Sequence, residues 1–317
     1  MITAPPVVAS PARRAQLSDA LAAARGGTAW RREPAVRKAA FARRAGAALA
    51  PDAAPGTIDA ALERLMANPD FLPGAWLHRG SAAGDTVAWI ESPGRGTATG
   101  FLVTPWLLLT NHHVFPTADI AAEATLRFRY ELEIDDQLTR MRSHRADPDR
   151  CYLAGKDLDY ALVAVAPRPD DAGKPPGATY GHTPMIGAIG KALLGQPVNI
   201  VQHPLGRPRE IVVRNNLLLT LTDQAMTYAA DTESGSSGSP LFNDRWELLG
   251  LHRRAVEARN AAGGLIDING RPVTRDTPEE HRNWVANEGV RASAIVADIR
   301  ARDLSETQRP LVADIGG

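Results

Sequence analysis

The 317-residue sequence holds a single cysteine, Cys151, so no disulfide can close within the chain. It has no net charge, with 36 basic against 36 acidic side chains, which excludes a protein that grips nucleic acid by bulk charge alone. No apolar run approaches the ~18 residues a membrane-spanning helix needs. Aromatic residues are sparse at 5%. Lysine is scarce beside arginine, a bias we assign to a GC-rich genome and not to chemistry. The opening MITAPPVVASPARR lacks an apolar stretch behind a basic one, so no secretory signal is expected and the cytoplasm is the expected compartment.

The chain does have the means for a large core. Hydrophobic residues make up 44%, and a chain this long buries about three quarters of its unfolded surface. A prior of one domain per ~150 residues gives two. The 27 glycines and 24 prolines imply many turns. Charge is unevenly placed: residues 1–50 are strongly basic and the remainder is acidic to the same extent.

Residues 1–12 are rich in Pro, Ala and Ser and are expected to be disordered. Good helix formers broken by Gly26-Gly27 and Pro34 predict helices over 14–25 and 35–49. Ile58, Leu62, Leu65 and Met66 at helical spacing predict a third over 57–67, ending near Asn68-Pro69. Beyond residue 70 short β-type runs take over: 86–90, 99–103, 126–132, 159–165, 198–203, 210–215 and 247–252. In 126–132, Leu126, Phe128 and Tyr130 alternate with Arg127 and Arg129, the pattern of a half-buried strand. The Pro/Gly/Asp-rich stretch 167–184 divides these strands into two lobes. Residues 291–300 predict a strand running into a terminal helix. Many short strands with few helices point to sandwich or barrel architecture.

Three segments can carry chemistry. TGFLVTPWLLLTNHHVF (99–115) is an apolar strand delivering His112 and His113 at its end. KDLDYALVAV (156–165) opens its strand with Asp159. DTESGSSGSPLFND (231–244) is a Gly/Ser turn around Ser237. Serine is a poor nucleophile until an imidazole takes its proton. The imidazole in turn needs a carboxylate to fix its tautomer. The resulting oxyanion needs backbone N–H donors aimed at one point, which a glycine-flanked turn permits. His78, His112, His144, His182, His203 and His281 are assigned structural roles. Neighbouring histidines on a strand face opposite sides, so the His112–His113 pair is not expected to bind metal. Cys151 reads as a small buried hydrophobe, and the carboxylates of 131–136 as a solvated hairpin.

The order His…Asp…Ser resembles that of the chymotrypsin-like serine proteases. GSSGSP (235–240) resembles their nucleophile loop, TNHHV (110–114) their histidine motif, and LDYALV (158–163) the strand start that bears their aspartate. The finer resemblance is to the disulfide-free bacterial branch that includes the glutamyl endopeptidases, over residues 70–300. It implies a mainly β fold of two six-stranded antiparallel barrels: barrel one over about 80–166, a linker at 167–184 and barrel two over about 185–300. An α-helical, partly disordered extension (1–68) precedes this 69–317 protease domain, and a helix ends it.

The resemblance also implies roles for particular residues: Ser237 as nucleophile, His113 as general base, Asp159 as orienting carboxylate, and the N–H groups of Gly235 and Ser237 as oxyanion hole. Arg253, Arg254 and Ala255 would pair with a polypeptide substrate as an added strand. Asp231 stands where trypsin-like enzymes bind Lys or Arg, and His252 where glutamyl endopeptidases bind glutamate; both alternatives stay open. Arg253, Arg254 and Arg291 are expected to disfavour a cationic substrate. Ser236 replaces the aspartate that captures a newly cut N-terminus, so no activation of that kind is expected. No cofactor, metal, nucleic acid or membrane is implied. Two alternatives stand beside an active endopeptidase: a protease held latent by a regulatory protein docked on residues 1–68, and a catalytically silent binding module.

Overall fold

A computed structural model describes residues 1–67, 71–278 and 281–317. The N-terminal elements are β1 (Val7–Ala9), α1 (Pro11–Arg25), α2 (Ala35–Arg44), α3 (Pro55–Met66) and α4 (Ala75–Asp85). Ser10 caps α1 through its hydroxyl on the Arg13 N–H, and Pro11 fills the first turn, where its missing donor costs nothing. The helix stops at Gly26-Gly27, and α2 ends five residues earlier than its composition predicted. The expected stop of α3 near Asn68-Pro69 lies outside the described residues.

Residues 1–12 are not the disordered tail that their composition predicted. Ile2 is buried, and its N–H bonds Thr97 O at 3.0 Å. β1 adds itself in parallel to a later strand through Val7–Val256 to Ala9–Ala258. Composition missed this because three residues suffice when a ready sheet edge supplies their hydrogen bonds.

The first β module is β2 (Val87–Ser92), β3 (Gly96–Leu102), β4 (Leu107–Thr110), β5 (Thr125–Phe128), β6 (Arg142–Gly155) and β7 (Tyr160–Val165), with α5 (Ala118–Glu123) between β4 and β5. The strands close into an antiparallel barrel in the order β2-β3-β4-β7-β6-β5. Its Val, Leu and Ala runs are buried on both faces. Leu108 and Val163 point into the barrel beside Ile90 and Phe128, while Leu107, Leu109 and Leu162 face the second module. Each such leucine is worth about 1.5–3 kcal/mol of burial. The carboxylates of Glu133, Asp135 and Asp136 are exposed, whereas Glu131, expected with them in a solvated hairpin, is half-buried and ion-paired with Arg209.

After a connection carrying α6 (Gly177–Tyr180), the second module comprises β8 (Asn199–Gln202), β9 (Glu210–Val212), β10 (Leu218–Leu221), β11 (Ala225–Tyr228), β12 (Pro240–Phe242), β13 (Leu248–Ala258) and β14 (Trp284–Arg291). Helices α7 (Ala292–Arg300) and α8 (Arg309–Val312) follow. Strand order is β10-β11-β14-β13-β12-β8-β9, with β1 on β13. The expected second closed barrel of six strands is therefore a half-barrel. The chain runs from β9 into β10 without a ladder between them. The margins are tied instead by Val198 N to Asn216 O and Leu218 N to Gln196 O. α7 packs Ile295 and Ile299 into the core shared by both modules. Among the described residues no helix is long and apolar enough to cross a membrane.

Candidate active site

His113 stands in the turn that ends β4. Thr110 and Asn111 before it and Val114 and Phe115 after it are buried, and the Val114 and Phe115 N–H groups both bond Asn111 O. This pins the backbone on either side of the imidazole. His112 beside it makes no contact with the carboxylate described next.

Asp159 immediately precedes β7 with φ of 51°, the left-handed region that Asp tolerates better than most residues. Its backbone is fixed at both ends: its N–H donates to Lys156 O at 3.1 Å, and its carbonyl accepts from Asn111 Nδ2 at 3.0 Å. The side chain reaches His113. Nδ1 lies 2.9 Å from Oδ2 and 3.1 Å from Oδ1, and the His113 N–H donates to Oδ1 at 3.0 Å. Burial pushes the Asp159 carboxyl up, but the His113 hydrogen bonds and the Arg253 charge outweigh it, and the group sits below the usual carboxylate value. Nε2 of His113 is buried and has no hydrogen-bond partner among the described residues.

The loop carrying Ser237 comes from the second module and is stitched to the first by one residue. Thr99 on β3 donates its N–H to Ser237 O and its hydroxyl to Gly235 O, both at 2.9 Å. Gly238 needs its hydrogen side chain here: φ is 87°, and a Cβ would stand 2.0 Å from Thr99 O. On its other side the loop bonds β13, through Gly238 N to His252 O and His252 N to Ser239 O. Among the described residues the N–H groups of Gly235 and Ser237 donate to nothing. Ser236 is buried and its hydroxyl accepts from the Glu233 N–H.

The predicted site residues thus fall into groups. His113 and Asp159 are in contact. Ser237 and Gly235 lie on the adjoining loop, and the Ser237 hydroxyl is not hydrogen-bonded to Nε2. A cavity of about 970 Å³ opens beside Ser237, walled by Asp231, Thr232, His252, Arg254, Ala255 and Asn287. Asp231 and His252 both border it without pairing. Asp231 is exposed, whereas His252 is buried with Nδ1 2.5 Å from the Tyr228 hydroxyl. Burial pushes the His252 imidazole down to about 3, so it stays neutral. Arg291, expected nearby, turns away and donates to the carbonyls of Thr222 and Asp223.

Three contributors escaped the sequence. Asn111 could have been found, since it adjoins the histidines in TNHHV. Tyr228 and the contact of Arg253 with Asp159 could not, because both depend on strand register.

Residues 98–251 match the trypsin-like peptidase domain family, so this part of the chain carries a trypsin-like peptidase domain. Among curated proteins the chain is 33% identical over 261 residues to "Uncharacterized protein y4fB" of Sinorhizobium fredii, covering 76% of this chain and 39% of that one. It is 25% identical over 175 residues to exfoliative toxin A of Staphylococcus aureus, covering 54% of this chain and 61% of the toxin. The chain therefore spans less than two thirds of either relative. Among solved structures, a Glu endopeptidase in complex with MPD aligns with a TM-score of 0.45 at 17% identity, over 72% of this chain and 93% of that one. The active form of the Rv3671c protease from M. tuberculosis aligns with a TM-score of 0.43 at 17% identity, over 74% and 90%.

Proposed function

We propose that this chain is a serine endopeptidase acting on polypeptides through a covalent acyl-enzyme. Ser237 Oγ attacks the scissile carbonyl carbon as its proton passes to His113 Nε2. Asp159 holds Nδ1 protonated and stabilises the imidazolium. The oxyanion takes hydrogen bonds from the Gly235 and Ser237 N–H groups. Collapse breaks the C–N bond, the leaving amine takes the proton from His113, and water then releases the acyl group by the same route. The observation that carries this reading is the oriented His113: Nδ1 is bound to Asp159 while Nε2 is left open. The missing bond from Ser237 to Nε2 fits a substrate-free site, where such bonds commonly tighten only on binding.

The test is a fluorophosphonate probe with mass spectrometry. Wild type should be labelled at Ser237, and Ser237→Ala should lose both labelling and casein cleavage with its fold unchanged. Wild type that resists micromolar probe through prolonged incubation, with the strap variant described below resisting it as well, overturns the proposal. A peptide-library cleavage profile then decides the specificity: cleavage after Asp or Glu assigns it to His252, and cleavage after Lys or Arg to Asp231.

One observation favours a latent form of the same enzyme. β1 occupies the edge of β13 immediately beyond Arg253–Ala255, the stretch proposed to pair with substrate. Thr3, Ala4 and Pro6 line the cavity beside Ser237. A partner docking on residues 1–68 would act by drawing this strap aside. Ile2→Asp, which unpins the strap from the barrel, should speed probe labelling; an unchanged or slower rate removes the latent reading.

A further inference from the structure

β13 and β14 pair in antiparallel register, His252 with Gly289 and then Arg254 with Glu288, so Arg253 is the extra residue of a β-bulge. Bulges re-aim side chains and gather beside active sites. This one turns Arg253 across the boundary between the modules. Its Nε lies 3.2 Å from Asp159 Oδ2, the oxygen that also takes His113 Nδ1 at 2.9 Å. Its Nη1 lies 3.7 Å from Glu288 Oε1, which Arg254 holds at 3.0 Å. The Asp159 side chain is only 7% exposed and that of Arg253 22%, so little water screens the pair. A guanidinium cannot deprotonate, so its charge is permanent, whereas the imidazole gains charge only in the course of the reaction.

We propose that Arg253 is a positioning residue for the triad: presented by the bulge, it clamps the Asp159 carboxylate from the second module and divides that carboxylate's charge between itself and His113. The inference rests on the endopeptidase reading for its meaning in catalysis, but the clamp can be measured without turnover. The other groups facing the His113–Asp159 pair come from separate elements. Arg95, in the turn between β2 and β3, donates to His113 O at 2.9 Å. His252 on β13 is buried and neutral. Glu288 on β14 opposes Arg253. Lys156 and Asp157 lie in Asp159's own turn and are exposed.

The sign of the effect follows. With Arg253 made neutral, Asp159 gives its whole charge to the imidazolium, and protonation of the pair becomes easier. The labelling rate, which needs the neutral imidazole, should then fail at higher pH. Arg253→Gln should raise the midpoint of the acid limb by about one pH unit, the low end of what a neighbouring charge does, and slow labelling about tenfold well below that midpoint. Arg253→Lys, which keeps the charge but not the planar fork, should retain the wild-type midpoint. Glu288→Gln, which frees more of the Arg253 charge for Asp159, should move the midpoint down. A purely structural role would scale the rate at every pH and move no midpoint. A midpoint unmoved in both Gln variants, with melting temperature intact, overturns the proposal. The same shifts should appear in the His113 ring titration followed by NMR in a Ser237→Ala background. Failure of wild type and the strap variant alike to label would sink the endopeptidase reading, while the ring titration still decides for or against the clamp.

Discussion

β4 and β7 of the closed barrel each lie between two hydrogen-bonded neighbours. Across the cleft, Arg254 and Ala255 of β13 pair with β14 on one side only, with β12 and β1 occupying the other edge before and after them. The barrel gives His113 and Asp159 a frame with few ways to move, which suits the proton transfer proposed for the pair. The half-barrel leaves a stretch of backbone unpaired on one side, where the proposed substrate strand would lie, and supplies the turn whose Gly235 and Ser237 N–H groups are unbonded among the described residues. Rigidity and access are thus separated by module, and Thr99 and Arg253 bridge the two.

The largest expected effect comes from breaking the barrel's contribution. Asp159→Asn keeps the shape but offers His113 the wrong tautomer, and should lower the labelling rate by about 10⁴-fold. A loss below tenfold would mean that the rigid frame is not what orients the imidazole. The half-barrel should instead reveal itself in acid. Burial holds His252 neutral down to about 3 and His203 down to about 4, against 6.5 for a free histidine. Both folded values are depressed, so between those values and 6.5 the unfolded chain binds more protons. Stability is therefore full above about pH 6.5 and falls as pH drops toward 4. Each histidine contributes a slope of up to about 1.4 kcal/mol per pH unit. Melting temperature recorded from pH 7 to 4.5 should fall, and His203→Gln should flatten the curve. An unchanged slope would place the acid-sensitive groups elsewhere. The smallest effect is that of Ile2→Asp, a rise of a few-fold in labelling.

The sequence made most of the barrel legible. Runs such as YALVAV are buried along their full length in β7, and length and composition alone mark them as strands. The histidine, aspartate and serine motifs were legible because each combines an apolar strand end or a glycine turn with a polar side chain. What stayed hidden depends on long-range register. No local pattern announces that Val7–Ala9 will find Val256–Ala258, or that one surplus residue in β13 will send Arg253 to Asp159 instead of into solvent. The half-barrel's missing ladder is of the same kind, since it turns on how two margins meet.

β1 has a practical consequence for anyone who shortens this protein. An uncovered sheet margin templates pairing with other chains, and Val256–Ala258 would become such a margin once its parallel companion is cut away. Trimmed preparations should therefore be inspected for self-association before any drop in performance is blamed on chemistry, and a single substitution at the anchor tells more than removal of the whole leading segment.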